Sequence, residues 1–515
     1  MAPSSSRNPL DIPELLQAIL TLLDDPPDLV NVACTCKSFT DIALRTLWRE
    51  PTFDGSPLLS MVHLFPEDIR ASLATMKDPN LHIPPAAFIR FDYYAHFIRS
   101  LNIWHHGEAA FVVHVLTRSR PGVWIFPLLD HLHLGATGED LETAPVYLTP
   151  SLKSLYLNHW DGLQGREIHP SDELKRTFLQ IHRLPHLNTL DLADTLYTPL
   201  EDDEQVVEGF AGLAARLDMF HAQSFLTLPA VFEPLARNLK LRSVFFNAML
   251  EGGPYVALDD IIILLRENFP TLGTLGLYCT MEQAVKVFGQ LGRPLPHLNL
   301  KISSGMDAND MLAVATSVST FNSHILSLRI SAAGNMSGEV DPPIRLPQVL
   351  TPLRACGRLR DLEIMLGFDG EQMLQDNELS ELFRAWPDLE VCTILNDAEG
   401  DLLAVEGEQT SFGLSLDAIL SAARHCPQMR ELSLPFVDTA TIPSIGNLHR
   451  SKHSFHLQLS RSHVHNHSEV LQFISRLWPA AEITFSGCDH YAGIHMKVVT
   501  PPTDTTRREW LQDGI

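Results

Sequence analysis

Along most of the chain, apolar residues recur in a hexad of the form apolar-x-x-apolar-x-apolar. It begins with Ile98-Arg-Ser-Leu-Asn-Ile103 and Leu129-Asp-His-Leu-His-Leu134. Further copies start at Leu152, Leu187, Leu241, Leu272, Leu295, Ile325, Leu359, Leu389 and Met429, with degenerate copies at 455–459 and 483–485. The starts are separated by as few as 23 residues (Leu129 to Leu152) and as many as 54 (Leu187 to Leu241), and the long gap leaves room for a worn copy at 225–228. The last two apolar positions of each hexad alternate, which fits a short strand with one buried face. Helix-compatible segments precede many hexads, as at 258–269, 378–386 and 416–426, each followed by a proline that stops the helix. One strand and one helix cannot bury each other's apolar faces alone, so neighbouring units must stack. The pattern predicts an α/β solenoid over 96–500, a horseshoe with strands on the concave face and helices outside.

Ahead of this array the period changes. Pro13 suits a first helical position, with Asp11 as its cap, and no residue breaks the helix before Leu23. Leu16, Ile19, Leu20 and Leu23 share one face, while Leu15, Ala18 and Leu22 cover much of another, so this helix is apolar nearly all round. The run Asp24-Asp25-Pro26-Pro27 separates it from a second helix, capped by Asp28 and carrying Leu29, Val32, Ala33 and Cys36. A third carries Phe39, Ile42, Ala43 and Leu47 and ends near Trp48. Some forty residues cannot enclose a substantial core. One face is therefore finished by something else, either another chain or the rest of this one. Residues 1–8 and 501–515 read as disordered tails, and 51–95 as an ordered connector packed on the array, with one helix near 66–77.

These residues carry a resemblance. Ile12-Pro13-Glu14-Leu15-Leu16, Ile19-Leu20, Leu23, Asp28-Leu29, Val32, Cys36-Lys37-Ser38-Phe39 and Leu47-Trp48 resemble an F-box over 9–50, with Phe39 standing where a Trp is usual. The array resembles the long, irregular leucine-rich repeats found behind F-boxes, without the regular Asn or Cys after the last Leu. The resemblance implies a substrate-recognition subunit of an SCF-type ubiquitin ligase, docked on a Skp-type adaptor and through it on a cullin. The implied docking set is Ile12, Pro13, Leu15, Leu16, Ile19, Leu20, Leu23, Leu29, Val32, Cys36 and Phe39. A target protein would lie against outward hexad positions, chiefly His131, His133, Tyr156, Asp191, Phe245, Tyr278, Arg329 and Glu363. The other reading is a repeat scaffold with no ubiquitin link, whose N-terminal helices cap the solenoid.

Composition narrows the partners. The 515 residues carry Lys+Arg 38 against Asp+Glu 62, a formal charge of −24, which argues against a surface built for nucleic acid or an anionic membrane. Neither a signal-peptide core nor an apolar run long enough to span a bilayer stands out, and the seven cysteines form no framework. A cytoplasmic or nuclear location is expected. Nucleotide-binding, hydrolase-elbow and zinc-protease motifs are not found, so neither an enzyme nor a cofactor is expected. His463-x-His465-x-His467 has the spacing of metal ligands but reads better as a solvated loop, and no metal is expected.

Overall fold

The computed structural model describes residues 12–23, 26–50, 57–76, 80–104, 108–136, 144–159, 172–192, 203–222, 225–248, 255–303, 308–335, 346–367, 374–396, 413–435, 437–446, 454–460, 462, 465–486 and 496–499. The chain divides into two compact units, Met1–Leu241 with Pro254–Val256, and Arg242–Gly253 with Ala257–Ile515.

The first unit opens with α1 (Pro13–Leu20), α2 (Pro26–Thr35) and α3 (Lys37–Arg49). Three more helices fill the connector, α4 (Pro57–Val62), α5 (Glu67–Thr75) and α6 (Phe88–Ala95), where the sequence pattern indicated one. Then follow β1 (Ser100–Trp104), α7 (Glu108–Ser119), β2 (His131–Ala136), β3 (Ser154–His159), α8 (Asp172–Ile181), β4 (Thr189–Asp191), α9 (Glu204–Ala214), β5 (Met219–His221) and α10 (Pro229–Ala236). β1 to β5 pair in parallel, each with the next.

The fifth strand corrects the sequence reading. Residues 225–228 are not a worn hexad, because Phe225–Thr227 is a 3-10 turn. The missing copy is Leu217-Asp-Met-Phe-His-Ala222, whose Leu217, Phe220 and Ala222 are buried. An alanine at its last apolar position hid it.

The second unit repeats the plan with β6 (Ser243–Asn247), α11 (Leu258–Glu267), β7 (Thr274–Cys279), α12 (Met281–Leu291), β8 (His297–Ile302), α13 (Ala308–Phe321) and β9 (Ser327–Asn335). Next come α14 (Leu346–Leu350), β10 (Asp361–Gly367), α15 (Asp376–Ala385), β11 (Val391–Asn396), β12 (Leu414–Ser415), α16 (Leu416–His425), β13 (Glu431–Pro435) and β14 (Val437–Asp438). β15 (Phe455–Ser460), α17 (His467–Leu477), β16 (Ala481–Ser486) and β17 (Met496–Val499) complete it. β6 to β11, β13, β15 and β16 pair in parallel, whereas β17 runs antiparallel to β16 and so departs from the repeat. β12 and β14 form a separate two-stranded pair.

Many coils are tied to the one before by the same device. The carbonyl just before one strand accepts two successive N–H groups as the next strand begins. Arg99 receives Asp130 and His131 at 2.7 and 2.9 Å, Asp130 receives Lys153 and Ser154, and Lys153 receives Asn188 and Thr189. In the second unit Leu326 receives Arg360 and Asp361, and Arg360 receives Glu390 and Val391. Hexad residues such as Leu132, Leu155, Leu298, Leu328, Leu362 and Leu432 are buried at 2% exposure or less, forming the core between strands and helices.

Side chains close several of the turns that lead from a helix into the next strand. Asn238, three residues ahead of Leu241, donates to the carbonyls of Ala214 and Leu217 at 2.9 and 2.7 Å. Asn322, three ahead of Ile325, donates to the Leu295 carbonyl at 2.7 Å and accepts from its N–H at 3.0 Å. Arg216 and Arg293 likewise reach three carbonyls each in the preceding turn. Burial pushes both guanidinium pKa values down from their ordinary range. These groups supply donors to carbonyls of the helix-to-strand turns.

Candidate partner-binding surfaces

The three N-terminal helices share a small core of Leu16, Leu20, Leu29 and Ala43, with Leu23, Val32, Ala33, Phe39, Ile42 and Leu47 packed around it. Several boundaries differ from the sequence reading. α1 ends at Leu20, three residues before Leu23, and its cap is Ile12, which offers no side-chain hydrogen bond; Asp11 lies outside the described residues. α2 starts at Pro26, placing Asp28 in its first turn, where a carboxylate still favours the helix dipole.

This core decides which way the first helix faces. Leu16 and Leu20 point inward, so the face grouping Leu16, Ile19, Leu20 and Leu23 is not a free surface. The open stripe is Leu15, Ala18 and Ile19 on α1, continued by Leu22 in the turn that follows it. Leu15 is 46% exposed, Ile19 44% and Leu22 78%, with Val30 of α2 at 45%. Of the expected docking set, Pro13, Leu15, Ile19 and Cys36 are exposed, Ile12, Leu23, Val32 and Phe39 half-buried, and Leu16, Leu20 and Leu29 inside. Leu22 and Val30 were absent from that set. A periodic pattern that is apolar all round cannot say which stripe turns outward.

The domain is held to the rest of its unit through α3. Trp48 meets Tyr94 with ring centroids 5.1 Å apart, and Tyr93 Oη donates to Asp41 at 2.8 Å. Arg45 lies over Phe97, and the Arg99 N–H donates to the Arg49 carbonyl at 2.9 Å.

Outward strand residues form lateral rows. In the first unit His133, Tyr156, Asp191 and His221 stand in register across β2 to β5. His133 and Tyr156 have ring centroids 6.0 Å apart, and Asp191 Oδ2 lies 2.9 Å from His221 Nδ1. Burial pushes the His133 pKa down against the opposing pull of Asp191. Burial, then Asp191, pushes that of Tyr156 up. His221 belongs to this row but escaped the sequence reading with its strand. His131 is exposed one rung away, in register with Ser154.

In the second unit Arg329 pairs with Glu363 across β9 and β10, and Tyr278 is in register with Asn247 and Lys301. Phe245 is only 9% exposed, because its ring lies over Gly276 on the next strand. It therefore offers a partner little surface, contrary to its expected role as an anchor.

Among the described residues no group of three or more His, Cys, Asp or Glu is arranged to hold a metal ion. His463 lies outside them, His465 Nε2 sits 3.2 Å from Asp438 Oδ1, and His467 begins α17. No helix among the described residues is long and apolar enough to cross a membrane.

No curated protein matches the sequence. Among solved structures, a chain of the yeast Rad7–Elc1 complex is similar at 14% identity, covering 72% of this chain and 77% of that one, with a TM-score of 0.34. A Bacteroides fragilis protein is similar at 14% identity, over 67% and 69% of the two chains, with a TM-score of 0.25. The family model described as F-box-like matches residues 13–54, so that α1 to α3 constitute an F-box-like domain.

Proposed function

We propose that this protein is a non-catalytic substrate receptor of an SCF-type ubiquitin ligase. Its F-box-like domain holds a Skp-type adaptor and through it a cullin, while outward strand positions hold a target protein. One observation carries the reading. The stripe Leu15, Ala18, Ile19 and Leu22, with Val30, stays open to solvent although the chain has a large array that might have covered it. Small domains rarely leave contiguous apolar side chains unpartnered. On the strand side, His131, His133, Tyr156 and Asp191 in the first unit and Tyr278, Arg329 and Glu363 in the second supply mixed polar and aromatic contacts.

A second reading, the N-terminal helices as a solenoid cap, draws support from the contacts of α3 with Tyr93, Tyr94 and Phe97. Those contacts also make truncation at residue 50 a poor discriminator, since removing α3 would uncover an aromatic cluster under either reading. Reconstitution with purified components discriminates better. A receptor forms a stoichiometric complex of full-length chain, adaptor and cullin on size exclusion. A chain that elutes alone at micromolar concentrations of all three is a scaffold.

A further inference from the structure

The first unit contains a cleft of about 360 Å³ whose lining includes the polar residues Gln17, Arg45, Arg49, His96, Arg99 and Asp130. It lies where α1 and α3 meet the loops flanking β1. Its lining carries three arginines against one carboxylate. The chain has a formal charge of −24, so carboxylate partners for arginines are plentiful, yet three arginines share this one cleft.

Arg45 and Arg49 stand one turn apart on α3, a spacing at which like charges repel. Arg45 has Phe97 beneath its guanidinium at 5.9 Å, and Arg99 spends one N–H on the Leu128 carbonyl at 3.0 Å. Among the described residues neither has a carboxylate within ion-pair distance, and Arg49 has only Glu50 at 3.8 Å. The cleft's own carboxylate, Asp130, is held by Lys153 at 3.2 Å. Removing one arginine would be the cheap way to lower this repulsion. Keeping all three around a cavity is the arrangement that planar, multidentate capture of a phosphate favours. The size is at the small end of ligand sites, with room for a phosphate group together with the atoms it is attached to.

The geometry points to a phosphate-binding site between the F-box-like helices and the first repeat, occupied by a phosphate carrying at least two negative charges. Arg45 and Arg49 hold it from α3 and Arg99 from the residue before β1, while Gln17 of α1, whose amide already donates to Thr46 Oγ1 at 2.8 Å, turns its second N–H to the ligand. The ligand bridges elements that otherwise touch through a few rings, the Tyr93–Asp41 hydrogen bond and one backbone hydrogen bond, so it braces the domain against the array. This goes beyond the adaptor reading and does not depend on it, because none of these residues lies in the exposed stripe.

The same chemistry has two sources, a free polyphosphate or a phosphorylated side chain on another segment. Calorimetric titration of the full-length protein separates them, with pyrophosphate in one arm and a phosphoserine peptide in another, and the unphosphorylated peptide as reference. Saturable binding of pyrophosphate alone assigns the free anion. Saturable binding of the phosphopeptide but not its unphosphorylated form assigns a modified segment. In either case Arg45→Gln together with Arg49→Gln weakens binding at least about tenfold, while Arg237→Gln on an exposed helix end leaves it unchanged. Arg45 and Arg49 are surface positions, and each single substitution gives an independent reading should the double variant melt early. The proposal is overturned if neither probe saturates, or if the arginine variants bind as the wild type does. Adaptor capture by the same variants stays intact, which distinguishes failure here from failure of the receptor reading.

Discussion

Replacing Ile19 and Leu22 with glutamate separates what the first helix contributes to folding from what it offers a partner. Fully burying a Leu or Ile side chain is worth about 1.5–3 kcal/mol. With Ile19 44% and Leu22 78% exposed, the surface left to bury is worth about 1 and about 2 kcal/mol. Leu15 and Val30, near half-exposed, add about 1 kcal/mol each. Together these four side chains supply about 5 kcal/mol against an association cost of about 4–15 kcal/mol, so further residues of α2 and α3 must also contribute. Losing Ile19 and Leu22 removes about 3 kcal/mol, about a hundredfold in Kd before the added charges are desolvated. Both side chains already face solvent, so the melting temperature should barely move. Leu20→Ala, inside the small core, is the contrasting change and costs about 2–5 kcal/mol of stability. The assay is calorimetric titration of a purified Skp-type adaptor into each folded variant, with thermal melts alongside. An Ile19→Glu/Leu22→Glu protein that binds the adaptor with wild-type affinity would refute the reasoning.

Gly276→Ala places a Cβ about 2.0 Å from Phe245 Cδ2, so the ring must leave the sheet face. A loss of about 1–3 kcal/mol is expected, smaller in a Phe245→Ala background, and additive losses in urea unfolding would contradict the contact. Asn238→Ala leaves the Ala214 and Leu217 carbonyls without their donor and should cost about 1–3 kcal/mol, visible as a lower denaturation midpoint; no change would mean the turn is closed another way. Burial holds His133, His182 and His425 below the ordinary histidine range, reinforced by Arg183 at His182 and by Arg384 and Arg424 at His425. The unfolded chain therefore binds more protons in the window between each lowered pKa and the unfolded value of about 6.5, so stability rises with pH there. That stability is intact above the unfolded value and lost as pH falls below it. The urea midpoint should be lower at about pH 5.5 than at about pH 7.5, with part of the difference removed by His133→Gln. An unchanged or higher midpoint in acid would be inconsistent with buried neutral imidazoles.

The array was legible because its signal is redundant. Copies with Leu, Ile or Val at the same offsets name their strands directly, down to the degenerate ones that became β15 and β16. It failed where one residue broke the pattern. Ala222 hid β5, and with it His221, whose meeting with Asp191 depends on strand register and not on sequence spacing. The antiparallel β17 has no hexad and gave no sign. The turn-closing Asn238 and Asn322 occupy equivalent places, but each looks like an ordinary loop asparagine until its carbonyl partners are seen. In the N-terminal domain the sequence announced surplus apolar surface and left its direction open. Leu16, Ile19 and Leu20 fit one stripe as well as two, and only packing against Leu29 and Ala43 separates them.

Hydrogen exchange on the full-length chain, with and without a saturating purified Skp-type adaptor, addresses the receptor reading at residue level. Protection should rise over 13–35, where Leu15, Ile19, Leu22 and Val30 lie, and stay unchanged along β2 to β5. Unaltered exchange in α1 and α2, or new protection confined to the strands, would contradict it.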